Sequence, residues 1–416
     1  MLLIVVLIKS VLWAKTVPVF QTPDEQAHFA QLSYIAENKT LSIAWDKNLS
    51  QEIATVEEIL GTRRDGQGNN KYTYHPEYKN NSPIPNLPME TRFRYVDREA
   101  AGYPPLYYLL DLPFYYLTYS GNVGDRVMAS RLLSTISHLA LVICAYFTGK
   151  LIWDDKIKSL VLAVMVGFQP MVSFVAAGIH PDNLLNLITT AMIFICFLIM
   201  KHGIKLKYLL SLVILGILGW ETKISVAFLF PAVAAVIIPK LSPLTLGIPA
   251  VAFIFKWNIP YMPYVGPESP LSNMSLTEYL KFRLPKLAFE MWPWFWGVFK
   301  WLGVTLPAIV LKIITRLAIV SGIGLVLTRL KNKYVIASIV FVVTYTLYLF
   351  MWDWRLMQSM GYSQGLQGRY LFPVIVPIMI IFLEGLGKFG KVAVIGTGIG
   401  MVILNSTALW LIKSLY

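Results

Sequence analysis

The sequence begins with MLLIVVLIKSVLWAKTVPVF (residues 1–20), an apolar run that is followed at once by QTPDEQAHF (residues 21–29). The run has the length of one membrane span, and Asp24, Glu25 and His28 stand where it ends. Ionisable side chains at the rim of a bilayer are costly unless they face water or have a function. Because two lysines interrupt the run and no small-x-small cleavage site follows it, we expect a retained membrane helix rather than a signal peptide.

The whole chain has the composition of a helical membrane protein. Of its 416 residues, 56% are hydrophobic and only 14% are charged, whereas soluble domains carry nearer ~25% charged residues. Many apolar runs approach the length of a spanning helix, and backbone groups in lipid must be hydrogen-bonded within the segment. We therefore predict an all-α polytopic membrane protein, a single integral domain over residues 1–416 with about eleven transmembrane helices.

The charges are unevenly distributed along the chain. The segment 21–127 holds 14 of the 23 Asp and Glu but only 10 of the 36 Lys and Arg. The other basic residues fall in short loops between apolar runs, as the positive-inside rule expects of cytoplasmic loops. This asymmetry indicates membrane topology, not nucleic-acid binding. It predicts that 21–127 is a first extracytoplasmic loop, followed by the remaining transmembrane helices and short loops of 128–416.

Within that loop, the apolar stretch 104–119 resembles a span. Counting it as one would invert every later loop and place the lysine-rich loops outside. It also contains Asp111 and five tyrosines. We therefore expect an interfacial helix there and a second one over 29–35. Among the later segments, 244–255 is an expected span, whereas the sequence does not decide whether 302–311 crosses the membrane.

On this topology, most ionisable residues other than the cytoplasmic cations meet on one face. Four separate outer loops contribute to that face, which is the layout of a site assembled at the rim of a helical scaffold. A transport path would instead place such groups near the bilayer midplane. The candidate site residues are Asp24, Glu25, His28, His75, Tyr103, His180, Asp182, Lys223 and Arg369.

Each of these residues also has a plain structural explanation. Asp24, Glu25 and Asp182 suit the amino end of a helix, where acidic residues are favoured. Lys223 and Arg369 suit the flank of a span, where long cationic side chains reach the interface. The combination is more specific than any single member.

Six short motifs follow one another along the chain. They are PDE-x-x-HF at 23–29, YPPLYY at 103–108, RLLS at 131–134, HPD at 180–182, WETK at 220–223 and GRYLFP at 368–373. Together, in this order, they resemble the GT-C membrane glycosyltransferases, which include protein O-mannosyltransferases and aminoarabinose transferases. The opening motif is the most specific and is closest to a branch of poorly characterised bacterial membrane proteins. Tyr103 departs from the pattern, since many relatives carry His before the prolines.

The resemblance implies an enzyme that takes a sugar from a polyprenyl-phosphate donor, with its catalytic acid in the first outer loop. Asp24 is then the expected general base for an acceptor hydroxyl, with Glu25 as the second choice or as a positioning group. Arg369 and Lys223 are the expected partners of the donor phosphate, whose charge grows as its bond to the sugar breaks. A single displacement of this kind would invert the anomeric carbon.

The remaining expectations concern ligands and partners. Glu25, His28 and Asp182 could instead hold a divalent metal ion, Mg²⁺ or Mn²⁺, that neutralises the phosphate. Tyr103 and His180 are additional site candidates. The expected partners are the polyprenyl-phosphate-sugar donor, a lipid, glycan or protein acceptor, and membrane lipids, with no nucleic acid. The active site would lie on the extracytoplasmic side of the cell membrane.

Two functions of other classes stay open from the sequence. A transporter or flippase of lipid-linked saccharides needs ionisable residues along a path through the membrane, and Lys312 and Arg316 are the best candidates. A non-catalytic partner in envelope glycan assembly would tolerate replacement of Asp24 and Arg369 together.

Overall fold

The computed structural model describes four stretches of the chain, residues 1–63, 82–238, 273–360 and 366–416. Two features named above, His75 and the expected span 244–255, lie outside the described residues. The α-helices of the described residues are, in chain order, α1 (Leu2–Thr16), α2 (Glu25–Asn38), α3 (Gln51–Leu60), α4 (Leu106–Leu117), α5 (Val123–Trp153), α6 (Lys156–Gly167), α7 (Pro170–Ala176), α8 (Asp182–His202), α9 (Leu206–Trp220), α10 (Phe230–Ile237), α11 (Leu276–Lys286), α12 (Trp292–Trp296), α13 (Ala308–Leu327), α14 (Lys333–Met360), α15 (Ile375–Gly387) and α16 (Lys391–Leu415).

Short elements complete the described architecture. Strand β1 (Leu49–Ser50) pairs antiparallel with β2 (Tyr95–Asp97), and β3 (Val298–Phe299) pairs antiparallel with β4 (Val304–Thr305). Turns of 3₁₀ helix occupy Met89–Arg92, Ile224–Leu229 and Gly368–Val374, and one turn of π-helix occupies Leu287–Met291. The described residues are therefore mainly helical.

Six helical stretches in the described part are long and apolar enough to cross a membrane. They are α5, α8, α13, α14, α16 and the run Gly368–Gly387, which joins a 3₁₀ turn to α15. The pair α6 and α7 makes a seventh if it is counted as one bent span. The all-α membrane architecture agrees with the sequence prediction. The predicted count of about eleven is not confirmed, because α1 and α9 have only 15 residues each and 244–255 is not described.

Helix α8 lies in the middle of the bundle. It packs against α5, α9 and the 3₁₀ turn Gly368–Val374. Sixty-one per cent of its most apolar stretch is buried inside the protein, against 17% for the corresponding stretch of α13. Because α8 starts at Asp182, its central position carries that carboxylate into the interior of one end of the bundle.

The apolar segment made of α6 and α7 is broken. The two helices meet at an angle of 57°, and α7 begins with Pro170, which has no N–H to continue the helix. A break of this kind leaves carbonyl groups without partners inside the membrane. Lys9 of α1 donates to Gly167 O at 2.7 Å and to Ser173 Oγ at 2.8 Å, one on each side of the break. A lysine on the first helix thus stabilises the bend between α6 and α7.

Helix α4 lies within the stretch 104–119, where the sequence predicts an interfacial helix. Its 12 residues are too few to cross a bilayer, and it packs against α2 and α5. One face of it is buried in the protein, including Tyr107, Tyr108 and Asp111. Helix α2 covers the second expected interfacial helix, 29–35, and is buried along most of its length.

The stretch 302–311 does not form a helix as a unit. Its first residues belong to the tight hairpin between β3 and β4, where Lys300, Trp301 and Leu302 have φ values of 48°, 51° and 69°. Helix α13 begins only at Ala308. The segment of membrane length in this region is therefore Ala308–Leu327.

Candidate functional site

The candidate site lies where α2, α8 and the 3₁₀ turn Gly368–Val374 come together. Asp24 holds the N-cap position of α2 in the left-handed conformation, with φ at 57°. Its Oδ2 accepts a hydrogen bond from Arg369 Nη2 at 2.9 Å. The Asp24 side chain is 40% exposed, whereas that of Arg369 is 4% exposed. The pair therefore joins a buried cation to a carboxylate that water reaches.

Arg369 is fixed by three protein acceptors. Besides Asp24, its Nε donates to Gln367 Oε1 at 2.6 Å and its Nη1 donates to His180 Nε2 at 3.1 Å. Gly368 just before it packs so closely on Phe295 that a Cβ would collide with the Phe295 backbone. A guanidinium has five N–H groups. Two of them are left over from these bonds, and a ligand with several oxygens could accept them.

His180 is a neutral imidazole that orients Arg369. Two donors face its ring nitrogens: Arg369 Nη1 lies 3.1 Å from Nε2, and the backbone N–H of Asp182 lies 3.1 Å from Nδ1. A neutral ring accepts only one such bond, and the charged guanidinium is the stronger donor, which favours acceptance at Nε2 and a proton on Nδ1. Burial lowers the pKa of His180 to about 4; Asp182 opposes this shift, while Arg369 and Lys223 add to it. Its contact with Asp182 Oδ2, at 3.6 Å, is therefore not an ion pair at neutral pH. The ring instead keeps the guanidinium facing Asp24.

Asp182 and Lys223 form a second charged pair beside the first. Lys223 Nζ lies 2.6 Å from Asp182 Oδ1, and both side chains are largely buried. The rings of Tyr103 and Tyr370 flank the ammonium, with centroids 5.2 and 5.9 Å from Nζ. Burial opposes the charge of Lys223, but Asp182 and Tyr103 outweigh it and hold the pKa of Lys223 above its ordinary value. Both members of the pair are therefore charged.

His28 lies under these groups as a buried, neutral ring. Its Nδ1 is 2.8 Å from Tyr108 Oη, and its ring centroid is 4.4 Å from that of His180 and 5.4 Å from that of Tyr103. Burial, followed by the effect of His180, lowers the pKa of His28 well below its ordinary value. His28 is therefore not a surface histidine.

Among the described candidates, Glu25 is the one whose side chain turns away from this group. It is fully buried, and Arg131 donates to both of its oxygens at 2.7 Å. The backbone N–H groups of Phe20 and Ile179 donate to it as well. A carboxylate with four donors and no access to water is poorly placed to take a substrate proton. This geometry argues against the expected role of Glu25 as second base, and favours a structural one.

The predicted metal ligands are not assembled into a site. Glu25 is bonded to Arg131, Asp182 to Lys223, and the Nδ1 of His28 faces Tyr108. No group of three or more His, Cys, Asp or Glu side chains within the described residues is placed to hold a metal ion. The three residues therefore do not fit a shared divalent ion, and we assign them none.

Sequence reasoning assigned no role to several residues that complete the site, although Arg131, Tyr108 and Tyr370 belong to motifs named above. Arg131 lies inside the apolar helix α5, and a cation buried at such a position predicts a carboxylate partner. That signal points to a buried carboxylate, which in the structure is Glu25. Tyr370 and Gln367 flank Arg369 in the sequence but gave no separate signal. Tyr108 was hidden among the five tyrosines of 104–119.

Comparison with known proteins assigns the chain's family. A family model described as "Predicted membrane protein (DUF2142)" matches residues 7–378, most of the chain. No curated protein matches the sequence.

Two solved structures are similar to this chain at a low level. ArnT from Cupriavidus metallidurans bound to undecaprenyl phosphate is 12% identical with a TM-score of 0.49, covering 97% of this chain and 62% of that one. The oligosaccharyltransferase AglB from Archaeoglobus fulgidus, in complex with an inhibitory peptide and a dolichol-phosphate, is 12% identical with a TM-score of 0.45 and covers 100% and 56%. The chain thus spans less than two thirds of either protein. TM-scores below 0.5 do not establish a shared fold.

Proposed function

Because this chain belongs to the DUF2142 family of predicted membrane proteins, whose description names no reaction, we propose an activity from its own site. The protein transfers a sugar from a polyprenyl-phosphate-linked donor to an acceptor hydroxyl. One observation carries the proposal: Asp24 and Arg369, 345 residues apart, are in contact at 2.9 Å at one end of a membrane bundle. Transfer from a lipid phosphate needs one carboxylate that can take a proton and one cation that can stabilise the leaving phosphate.

Asp24 is the proposed general base. With 40% of its side chain exposed, it is open to an incoming hydroxyl, whereas Glu25 and Asp182 are buried in ion pairs. As the acceptor oxygen bonds to the anomeric carbon, its proton passes to Asp24. The bond from that carbon to the phosphate oxygen breaks, and its electron pair stays on the phosphate. One displacement of this kind inverts the anomeric configuration.

Arg369 and Lys223 are the proposed partners of the phosphate. Arg369 brings a permanently charged guanidinium with N–H groups left over from its protein contacts, and Lys223 adds a second positive charge nearby. Two cations held in a largely buried site act more strongly on a developing negative charge than they would in water. His180 keeps Arg369 in position without adding charge of its own.

The position of the site suits a donor with its tail in lipid. The site is at the Asp182 end of α8, and Lys201 and His202 are at the other end of this 21-residue helix. Such a helix is about 30 Å long, the thickness of the hydrocarbon layer. By the positive-inside rule the basic end is cytoplasmic, so the proposed site faces the extracytoplasmic side.

The transporter alternative is weakened by the position of its best candidates. Lys312 and Arg316 are exposed on the outer surface of α13, the least buried of the described helices of membrane length. They do not line an interior path. Only an activity assay distinguishes a non-catalytic role in glycan assembly from transferase activity.

The test is a reconstituted reaction that works whatever the natural acceptor is. Purified protein in proteoliposomes is given a panel of labelled polyprenyl-phosphate sugars, with envelope lipids or with water as the acceptor. We expect a new glycosidic bond or free sugar, detected by mass spectrometry. Asp24→Asn should reduce the rate by about 100-fold or more. Movement of the labelled lipid across the bilayer without bond cleavage would instead identify a flippase, and equal turnover by Asp24→Asn would refute the base.

A further inference from the structure

The contact between Asp24 and Arg369 has a second consequence if the site takes a phosphate. Guanidinium groups grip phosphate best through two parallel N–H groups, and both such pairs in arginine include Nη2. In this structure Nη2 of Arg369 is bonded to Asp24. A carboxylate and a phosphate on the same nitrogen would repel each other at short range. The resting contact and a bidentate donor contact therefore compete.

Asp24 is the partner of Arg369 that can leave at least cost. Its side chain is 40% exposed and meets water when released, whereas His180 is buried and Gln367 is only partly exposed. Replacing one anion by another also keeps the buried guanidinium paired, which avoids the penalty of an isolated buried charge. The neutral partners His180 and Gln367 can stay in place during such an exchange.

We propose that the donor's phosphate displaces Asp24 from Arg369, and that loss of this cation lets the carboxylate act as the base. The inference rests on the proposed function and adds an order of events to it. A carboxylate held by arginine is a weaker base than a free one, because the nearby positive charge favours its ionised form. Donor binding thus switches on the base, and the acceptor hydroxyl is deprotonated only when a donor is present.

In the reacting state the atoms balance without another reactant. The acceptor oxygen forms its bond to the anomeric carbon and gives its proton to Asp24, which no longer contacts Arg369. The phosphate keeps the electron pair of the broken bond and remains on Arg369. When the phosphate leaves, Asp24 loses its proton to water and returns to Arg369.

A binding experiment without turnover tests the exchange. Undecaprenyl phosphate, which carries no sugar and cannot react, is titrated into the full-length protein in nanodiscs. We expect Asp24→Asn to bind it about 5-fold more tightly than the wild type, the effect of removing a half-exposed competing ion pair. Asparagine also tolerates the left-handed backbone of this position, and Asp24→Gly is a second variant that suits the same φ.

Two controls separate the exchange from simple repulsion. Glu90→Gln removes an exposed negative charge from the same segment and should leave the affinity unchanged. In an Arg369→Gln background, Asp24→Asn should give no gain, because the competition needs the arginine. Equal or weaker binding by both Asp24 variants, or a gain that persists without Arg369, would overturn the exchange. Absence of saturable binding by the wild type, or binding indifferent to Arg369→Gln, would refute the proposed function itself.

Discussion

Arg131 donates to both oxygens of Glu25 at 2.7 Å, in a place where neither side chain meets solvent. The same guanidinium donates to the carbonyls of Ala14, Val17 and Pro18, at and just after the end of α1. One ion pair thus fastens α1, α2 and α5 together. The two adjacent acidic residues therefore have different roles. Asp24 faces the open side of the site, and Glu25 holds the surrounding helices together.

We expect Glu25→Gln to lower stability before it affects chemistry. The change leaves Arg131 buried without a counter-ion, which costs about 3–5 kcal/mol in comparable pairs. Thermal unfolding in detergent should show a large drop in melting temperature, and the double variant Glu25→Gln with Arg131→Met should recover part of it. Glu90→Gln, which removes an exposed carboxylate, is the control and should melt like the wild type. A Glu25→Gln protein with normal melting but no transfer would show that Glu25 acts in the reaction.

The sequence predicts that the site residues lie at one end of the bundle, because membrane topology alone decides which loops share a face. The alternation of basic loops placed Asp24, His180, Asp182, Lys223 and Arg369 at the same end, and the structure brings them into one chain of contacts. What the sequence could not give is the direction of each side chain. Consecutive residues at a helix start differ by about 100° around the axis, which separates Glu25 from Asp24.

The break between α6 and α7 shows a different limit. Hydropathy treats the residues of these two helices as one apolar run, although Pro170 within it is a signal for an interruption. The bend depends on Lys9, more than 150 residues away, and no local pattern reveals that partner. Pairings of this kind come from the packing of the whole bundle.

Gly368→Ala should displace Arg369 from its position without changing the arginine itself. A Cβ at this position would collide with the backbone of Phe295, so the 3₁₀ turn that carries Arg369 has to move. A shift of about 1 Å at such a group commonly costs ~100-fold in rate. We expect loss of undecaprenyl phosphate binding and of transfer in a protein that still inserts. Gly322→Ala, in a helix where nothing lies within 4 Å of the new Cβ, is the control. Equal behaviour of the two variants would contradict the packing argument.

The free energy of unfolding of the protein should fall as the pH is lowered from about 6.5 towards 4. His180 has a folded pKa of about 4 against an ordinary value near 6.5, so the unfolded chain binds its proton first. The contribution of His180 to the free energy of unfolding is fully present above the unfolded pKa. It decreases through this window, by up to about 1.4 kcal/mol per pH unit for one buried histidine. Melting temperatures measured from pH 7.5 to 5 should show the decline in the wild type.

His180→Gln should reduce that slope, because glutamine does not titrate and still offers an oxygen to Arg369. His28, also neutral by burial, adds to the slope in the same direction, so His28→Gln should flatten it further. A wild-type melting curve that is flat over this range, or identical slopes in all variants, would show that neither ring is held neutral.

Lys9→Met tests whether the bend between α6 and α7 serves the site. The lysine provides donors to Gly167 O and Ser173 Oγ, and its Nζ lies 3.2 Å from His138 Nε2. Removing it takes one donor from each acceptor, although Ser173 Oγ keeps Asn405 Nδ2 at 2.8 Å and Gly167 O keeps His138 Nε2 at 3.2 Å. The expected cost is about 1 kcal/mol for each lost hydrogen bond. Because α7 leads directly to His180 and the start of α8, a relaxed bend moves the ring that orients Arg369. We therefore expect lower thermal stability together with weaker undecaprenyl phosphate binding.

The control is Lys15→Met, which replaces an exposed lysine on the same helix and should change neither property. Loss of stability with unchanged lipid affinity would mean that the bend supports the bundle but does not position the arginine.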